Sequence, residues 1–381
     1  MNRIVLNLSA LEHNFRTVRS WVSRHGGTLT VVTKALCGHE ETLAALPGLG
    51  MDSFGDSRIR NLSALRRAAG DSQVWYLRPA HLSAAAEIVS LADVSLNSEI
   101  EALRALDAAA GRQGKRHDDG VVVELGDLRE GVLPGKLTGF FRQVFALQHT
   151  RLIGVGANVG CLSGAAPDID QLNQLALYHE FLELKFGEPL PLLSGGASAS
   201  LPLLLEGRLP RRINHFRVGE SILLGADLVS GGVLPGLRDD VATLEAEIVE
   251  IKEKSLTPVS EGGHAAPFAS PKVDAAPGRR GYRALATVGH VDTDIAALTP
   301  QDPTHQIAGA TSDLTVLNLG ELHGGLRIGD VVRFKLGYGA FVRLMGNPYS
   351  HKRLIRDEQP ALSLVETRSA GAAPRALAAA S

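Results

Sequence analysis

Between residues 28 and 225 the chain repeats one rhythm, a short apolar run followed by a longer segment with helical spacing, and this limits the available folds more than any other feature. The runs fall at 28–34, 51–55, 73–77, 92–96, 120–125, 152–156, 190–194 and 221–225. Ahead of the first run, Leu11, Phe15, Val18 and Val22 recur every three or four residues and line one helical face. Strands alternating with helices build parallel βαβ units, and eight of them predict a closed (β/α)8 barrel of TIM type, an α/β fold, over an open doubly wound sheet. The first run, Thr-Leu-Thr-Val-Val-Thr-Lys, ends in Lys34. Barrels of this kind keep their chemistry at the carboxyl ends of the strands. An amine at that end can condense with an aldehyde once burial or neighbouring charge favours its neutral form. The plain alternative is a surface lysine closing a strand.

At 381 residues the chain exceeds what one core usually supports. A barrel over 1–227 is therefore expected to be followed by a second domain over 228–366. The pattern there turns β-rich, with strands at 242–251, 283–288, 315–319 and 331–336 and no comparable helices between them. Pro258, Pro267, Pro271 and Pro277 lie among Ser, Gly and Ala, so 254–281 reads as an exposed insertion. The Ala- and Ser-rich stretch 367–381 reads as a flexible tail. Lys and Arg number 39 against 41 Asp and Glu, a net charge of -2, so no long-range field favours nucleic acid or an anionic membrane. No segment is apolar enough to span a bilayer, and the first residues lack the pattern of a secretion signal. The two cysteines, Cys37 and Cys161, are too few for a disulfide framework or a four-cysteine metal site. A small-molecule site, no bound metal and a cytoplasmic location are expected.

Five stretches carry chemistry together: Val-Thr-Lys-Ala-Leu-Cys-Gly-His at 32–39, Glu-Leu-Gly-Asp-Leu-Arg-Glu-Gly at 124–131, Gly-Val-Gly-Ala-Asn-Val-Gly-Cys at 154–161, Ser-Gly-Gly-Ala-Ser at 194–198, and Ile-Asn-His-Phe-Arg-Val-Gly-Glu-Ser-Ile-Leu-Leu-Gly at 213–225. Jointly they resemble the alanine-racemase-like pyridoxal-phosphate enzymes of fold type III, in particular the ornithine racemase and putative amino-acid racemase branch. The resemblance runs from about residue 3 to 355. It implies a barrel followed by a β domain, pyridoxal 5'-phosphate as cofactor, and a head-to-tail homodimer whose sites draw on both chains. Lys34 would then carry the cofactor and exchange the α-proton of the substrate. Arg217 would face the pyridine nitrogen and keep it unprotonated, a weaker electron sink that suppresses transamination. Phosphate needs backbone N–H groups and hydroxyls with little bulk beside them. Ser194, Gly195, Gly196 and Ser198 after the seventh run, and Gly219 and Glu220 ahead of Ser221 and the eighth, provide both. The same resemblance gives Arg129 to the cofactor's phenolic oxygen and the substrate carboxylate, and makes Asn158 a hydrogen-bonding liner where a histidine commonly stacks. Asp56, Ser57, Arg58 and Asn97 are expected at the barrel mouth.

Departures from the family pattern matter as much. Cys37 stands near the place of a phosphate-binding tyrosine, as a reactive thiol or a small apolar filler, and His39 either donates to the phosphate or caps the next helix. The best match to the family's Gly-Tyr-x-Asp-Gly is Gly-His-Val-Asp-Thr at 289–293, which puts His290 in the place of the tyrosine that acts from the partner subunit as second base. An imidazole titrates near neutral pH and suits that task; a hydrogen-bonded histidine in a β domain is the alternative. Tyr338 and Tyr349 resemble site tyrosines, with Tyr349 the one to reach the partner's phosphate, and Ser312 and Asp313 fall in a loop that resembles the one meeting the substrate carboxylate. His13 and Asp127 receive no role. The function expected is racemisation of a free basic amino acid such as ornithine, lysine or arginine, with Asp292 and Asp294 placed to receive a side-chain ammonium. Racemisation of alanine or serine, and a pyridoxal-phosphate homeostasis or regulatory protein without activity, are the alternatives, the latter favoured by the missing tyrosine and by Ala197. Decarboxylases of similar architecture put a glutamate where Arg217 stands and a cysteine in the β domain, which this chain does not.

Overall fold

The computed structural model describes residues 2–160, 162–256 and 278–357. It begins with β1 (Asn2–Asn7) and α1 (Leu8–His25). Asn7 caps α1 by accepting from the N–H groups of Ser9 and Ala10, and Gly26 ends it at φ 88°, a left-handed conformation that glycine adopts without strain. Leu11, Phe15, Val18 and Val22 are buried, as their spacing predicts.

Eight strands then close a barrel: β2 (Thr28–Val32), β3 (Ser53–Asp56), β4 (Gln73–Tyr76), β5 (Val94–Asn97), β6 (His117–Val122), β7 (Thr150–Gly156), β8 (Leu192–Ala197) and β9 (His215–Val218). Every neighbouring pair is parallel, including β9 with β2, so the sheet has no edge. Around it lie α2 (Glu40–Ala45), α3 (Ile59–Ala69), α4 (Ala85–Leu91), α5 (Ile100–Arg112), α6 (Leu137–Val144), α7 (Ile169–Phe186), α8 (Leu201–Leu205) and α9 (Glu220–Leu224).

One run is corrected. Residues 221–225 are not the last strand: Ser221 to Leu224 form most of α9, ended by Gly225 at φ 68°. A four-residue apolar run suits a buried helix and a buried strand equally, so periodicity cannot separate them. The strand is β9, whose His215 and Arg217 face the lumen. The polar lettering of that face hid it.

The second layer contains β10 (Ala242–Ser255), β11 (Arg280–Ala286), β12 (Leu298–Pro300), β13 (Gln306–Ala310), β14 (Thr315–Gly320), β15 (Val331–Leu336), α10 (Tyr338–Gly346) and β16 (His351–Ile355). The sheet order is β12-β15-β10-β11-β14-β13, and β1 joins it, antiparallel to β10 and parallel to β16. The first strand of the chain therefore belongs to the second domain, although the sequence assigned it to the barrel. The expected insertion is narrower than 254–281, because Lys254 and Ser255 pair with Gly281 and Arg280 in the β10–β11 ladder. What remains of it at 257–277, and the stretch 367–381, lie outside the described residues. Helix α10 was not anticipated, and it matters because it seats the β domain on the turn after Lys34. Among the described residues no helix is long and apolar enough to cross a membrane.

Outside the lumen, β5 and β6 share a buried polar cluster. Ser95 Oγ donates to Asp119 Oδ1 at 2.5 Å, Asn97 Nδ2 donates to the same oxygen at 2.8 Å, and His117 Nε2 lies 2.9 Å from Ser95 Oγ. Burial pushes the Asp119 carboxyl up to about 7. Its folded-state value exceeds its unfolded one, so the folded form holds the extra proton and loses stability as pH rises from the unfolded value towards 7. The thermal midpoint is expected to fall between about pH 4 and 7, and Asp119→Asn to flatten that slope. Parallel profiles for variant and wild type would refute the assignment.

Candidate active site

The register of β2 against β9, Thr28 opposite His215 and Val31 opposite Val218, brings the residues after both strands to the same level of the barrel mouth. Lys34 opens a 3-10 turn there and is exposed. Its turn is held from below: Thr33 Oγ1 donates to Asp56 Oδ2 at 3.1 Å, and Asp56 Oδ1 accepts from Ser57 N at 2.7 Å, Arg58 N at 3.0 Å and Asn61 Nδ2 at 3.1 Å. Burial raises the Asp56 carboxyl, and these hydrogen bonds oppose the rise. Asp56 thus stitches the ends of β2 and β3 and fixes where Lys34 starts. Burial likewise raises Glu220, while the nearby Lys34 ammonium lowers it. The Glu220 side chain is therefore an electrostatic neighbour of Lys34. A carboxylate repels phosphate, so any phosphate contact at this position belongs to the backbone alone.

Arg217 lies on the inner face of β9, 8% exposed. Its Nη1 donates to Ser194 O at 3.1 Å and to Ser194 Oγ, and its Nη2 donates to Ala157 O and Asn158 Oδ1, both at 2.9 Å. Asn158 Nδ2 in turn donates to Glu130 Oε1 at 2.6 Å. Glu130 closes on the Arg129 guanidinium, with Nη2 at 2.5 Å from Oε1 and Nε donating to Oε2. Burial pushes Glu130 up, but Arg129 and Asn158 together hold it below the usual carboxylate range. The result is a continuous chain, Arg129–Glu130–Asn158–Arg217–Ser194, across the mouth from the loop after β6 to β8 and β9. Sequence reading placed Arg129, Asn158 and Arg217 here but missed Glu130, the acidic residue that links two of them; its signal was adjacency to Arg129. Asp127 also gains a role: Oδ1 accepts from Leu162 N at 3.0 Å and Ser163 N at 3.2 Å, tying the loop after β6 to the loop after β7.

The phosphate assignments divide. Ser194, Gly195 and Gly196 lie inside β8, not in a turn after it. The Ser194 hydroxyl is engaged by Arg217 and by His215 Nδ1 at 2.7 Å. A Cβ on Gly196 would stand 2.1 Å from the Phe216 ring and one on Gly195 3.0 Å from Ile213, so packing accounts for both glycines. Ser198 and Ser221 do face each other at the mouth, with Ser221 N donating to Ser198 Oγ at 3.4 Å. Gly219 is needed beside them, because a Cβ there would lie 3.0 Å from Val32 O.

Asn97 is engaged elsewhere, donating to Asp119 and Ser95 and accepting from Ala80 N at 3.0 Å. His39 caps α2, its Nδ1 accepting from Thr42 N at 3.4 Å. Burial raises the Cys37 thiol, whose Sγ lies 3.5 Å from Val342 O of α10, so Cys37 behaves as packing between the two domains.

In the β domain the structure joins two separate motifs. His290 N donates to Thr311 O and Val291 N to Ser312 O, both at 3.0 Å, and a Cβ on Gly289 would lie 2.2 Å from Ser312 O. The turn that carries His290 and the loop that carries Ser312 and Asp313 are therefore joined through their backbones, with His290 Nε2 buried in the single chain. Asp292 is consumed by its own turn, accepting from Gly289 N at 3.0 Å and Asn347 Nδ2 at 3.3 Å. The Asp294 carboxylate has no hydrogen-bond partner among the described residues and lies against Gly339 at the start of α10, 3.1 Å from where a Cβ would be. Tyr349 is 81% exposed, and Tyr338 opens α10.

An exposed amine, a buried guanidinium relay and paired serines at one barrel mouth accompany a match of residues 6–227 to the family model "Alanine racemase, N-terminal domain". The chain belongs to the alanine racemase family. Within it, the chain is 33% identical to the ornithine racemase of Acetoanaerobium sticklandii over 354 residues, 93% of this chain and 99% of that one. It is 30% identical to the lysine racemase of Thermotoga maritima, over 92% of this chain and 97% of the relative. The alanine racemase of Bartonella henselae, solved with covalently bound pyridoxal phosphate, has the same fold at a TM-score of 0.70 and 14% identity, covering 93% and 99% of the two chains.

Proposed function

We propose that this enzyme is a pyridoxal-phosphate-dependent racemase of a basic free amino acid, working as a cytoplasmic head-to-tail homodimer. The observation that carries the reading is Lys34 at the carboxyl end of β2 beside the Arg217 relay, in a chain whose relatives named above racemise ornithine and lysine. The residues present fit the cofactor: Lys34 offers an amine for its aldehyde, Arg217 a permanent cation that no carboxylate replaces, and Ser198 and Ser221 a hydroxyl and N–H for its phosphate. When bound, pyridoxal phosphate delocalises the charge left by the departing α-proton.

Lys34 takes or returns that proton on one face of Cα, and His290 from the partner subunit serves the other. Arg217, held by four acceptors among the described residues, would set a fixed positive charge beside the ring nitrogen and so disfavour a proton on it. Arg129 and the Ser312–Asp313 loop orient the substrate carboxylate. Tyr349, exposed in the single chain, is available to the partner's phosphate site.

The substrate class follows from Asp294, the carboxylate near His290 that no backbone turn consumes. Purified enzyme incubated with single L-amino acids and resolved by chiral chromatography is expected to racemise ornithine, lysine or arginine in preference to alanine. Asp294→Asn is expected to raise KM for the basic substrate about tenfold, the loss of one charge-assisted hydrogen bond, while alanine turnover is unchanged. Equal loss on both substrates, or preference for alanine in the wild type, would remove the basic-substrate reading.

A further inference from the structure

Arg217 has N–H groups only, and this fixes the direction of the hydrogen bonds beyond it. Because Nη1 donates to the Ser194 oxygen, the Ser194 hydrogen must turn to another acceptor. The available one is His215 Nδ1, 2.7 Å away, which must then carry no proton. The ring proton consequently sits on Nε2, 2.9 Å from Thr30 Oγ1, and Thr30 passes its own hydrogen to Ser53 Oγ at 2.8 Å. Reversing the chain would make Ser194 accept from both Arg217 and His215 and leave its buried hydrogen unmet, a costly arrangement in a dry interior.

We infer that His215 is held as the Nε2–H tautomer and is a positioning residue, locking the Arg217 guanidinium through Ser194. It touches neither substrate nor cofactor. His215 lies two residues before Arg217 on the same face of β9, as strand alternation requires. Its ring stacks on Trp75 across the lumen, centroids 4.5 Å apart and planes at 18°, so it cannot tilt away from Ser194. The groups facing it are Trp75 on β4, Thr30 on β2 and Ser194 on β8; Arg217 is the charged group that acts on it, and no carboxylate among the described residues is hydrogen-bonded to it. Burial, then the Arg217 charge, lowers its pKa to about 3, so the ring stays neutral under working conditions. A proton on Nδ1 would turn the Ser194 hydrogen bond around and set two cations against one hydroxyl. The consequence for catalysis rests on the racemase reading, whereas the tautomer does not.

Nitrogen-15 NMR of the labelled wild-type protein, assigned by comparison with His215→Asn, is expected to show a protonated Nε2, a bare Nδ1 and no titration between about pH 5 and 9. His215→Asn keeps an acceptor oxygen near the Nδ1 position and is expected to retain near-wild-type kcat. His215→Leu leaves the Ser194 hydrogen without an acceptor and is expected to lower kcat about tenfold with KM little changed. A protonated Nδ1, a titration within that range, or equal losses in the Asn and Leu variants would overturn the inference. If His215→Leu does not fold, the wild-type spectrum still decides. If the protein racemises no amino acid, the function proposed above fails while the tautomer assignment is still read from the spectrum.

Discussion

Lys34→Ala is expected to abolish racemisation and to remove the visible absorbance band of the bound cofactor. The effect should lie at or beyond the upper end of the ~10²- to 10⁴-fold cost of losing one general base, because the same nitrogen is proposed both to hold the cofactor and to move the proton. The protein should remain folded, since Lys34 is exposed and its turn is fixed by Thr33 and Asp56 rather than by its own side chain. Absorbance and chiral chromatography on the purified variant read both effects, and circular dichroism confirms the fold. If the band survives and borohydride reduction links the cofactor to a different lysine, Lys34 is not the attachment point.

That exposed amine is positioned by groups whose roles are invisible in their letters. Asp56 was read as a residue of the mouth, yet its two oxygens are filled by Thr33, Ser57, Arg58 and Asn61. Spacing shows which side of a strand a residue faces but not how many donors converge on it. The same limit explains Ser194, Gly195 and Gly196. A Ser-Gly-Gly string reads as a phosphate turn, but here it is a strand whose glycines admit the Phe216 ring and Ile213 and whose hydroxyl is engaged by Arg217.

The barrel was legible because seven of its strands contain or adjoin short, mostly apolar runs set between segments with helical spacing. The eighth was not, because His215 and Arg217 put polar side chains into the lumen where a hydrophobic pattern is sought. The hydrogen-bonded relay through Arg217 is thus the reason that strand escaped detection. The membership of β1 in the second sheet was equally hidden, since its partners β10 and β16 follow it by more than two hundred residues, and long-range pairing leaves no local mark. By contrast, Lys34 was placed at the mouth from its position at a strand end, where barrels keep their chemistry, and Arg129, Asn158 and Arg217 by the family resemblance of the stretches that carry them.

His290→Ala is expected to stop racemisation while sparing half of the chemistry. The turn that carries His290 is braced by Thr311 and Ser312 from the neighbouring loop and by Asp292 within itself, so truncating the side chain should leave the backbone in place. Losing one of two bases costs ~10²- to 10⁴-fold in overall rate. The loss should be asymmetric, because Lys34 still serves one face of Cα. In deuterated solvent the variant should therefore exchange the α-proton of one enantiomer and not the other, as read by proton NMR. The shared-site reading adds a second expectation. Mixed Lys34→Ala and His290→Ala subunits, each inactive alone, should recover part of the activity, since a hybrid dimer assembles one site with both an intact Lys34 and an intact partner His290. Wild-type racemisation by His290→Ala would transfer the second base to another residue, with Tyr338 the next to replace. Symmetric loss of exchange would mean that His290 orders the site rather than moving the proton. Failure of the mixed subunits to recover would mean that no site combines Lys34 of one chain with His290 of the other, and the shared-site reading of the dimer would fall.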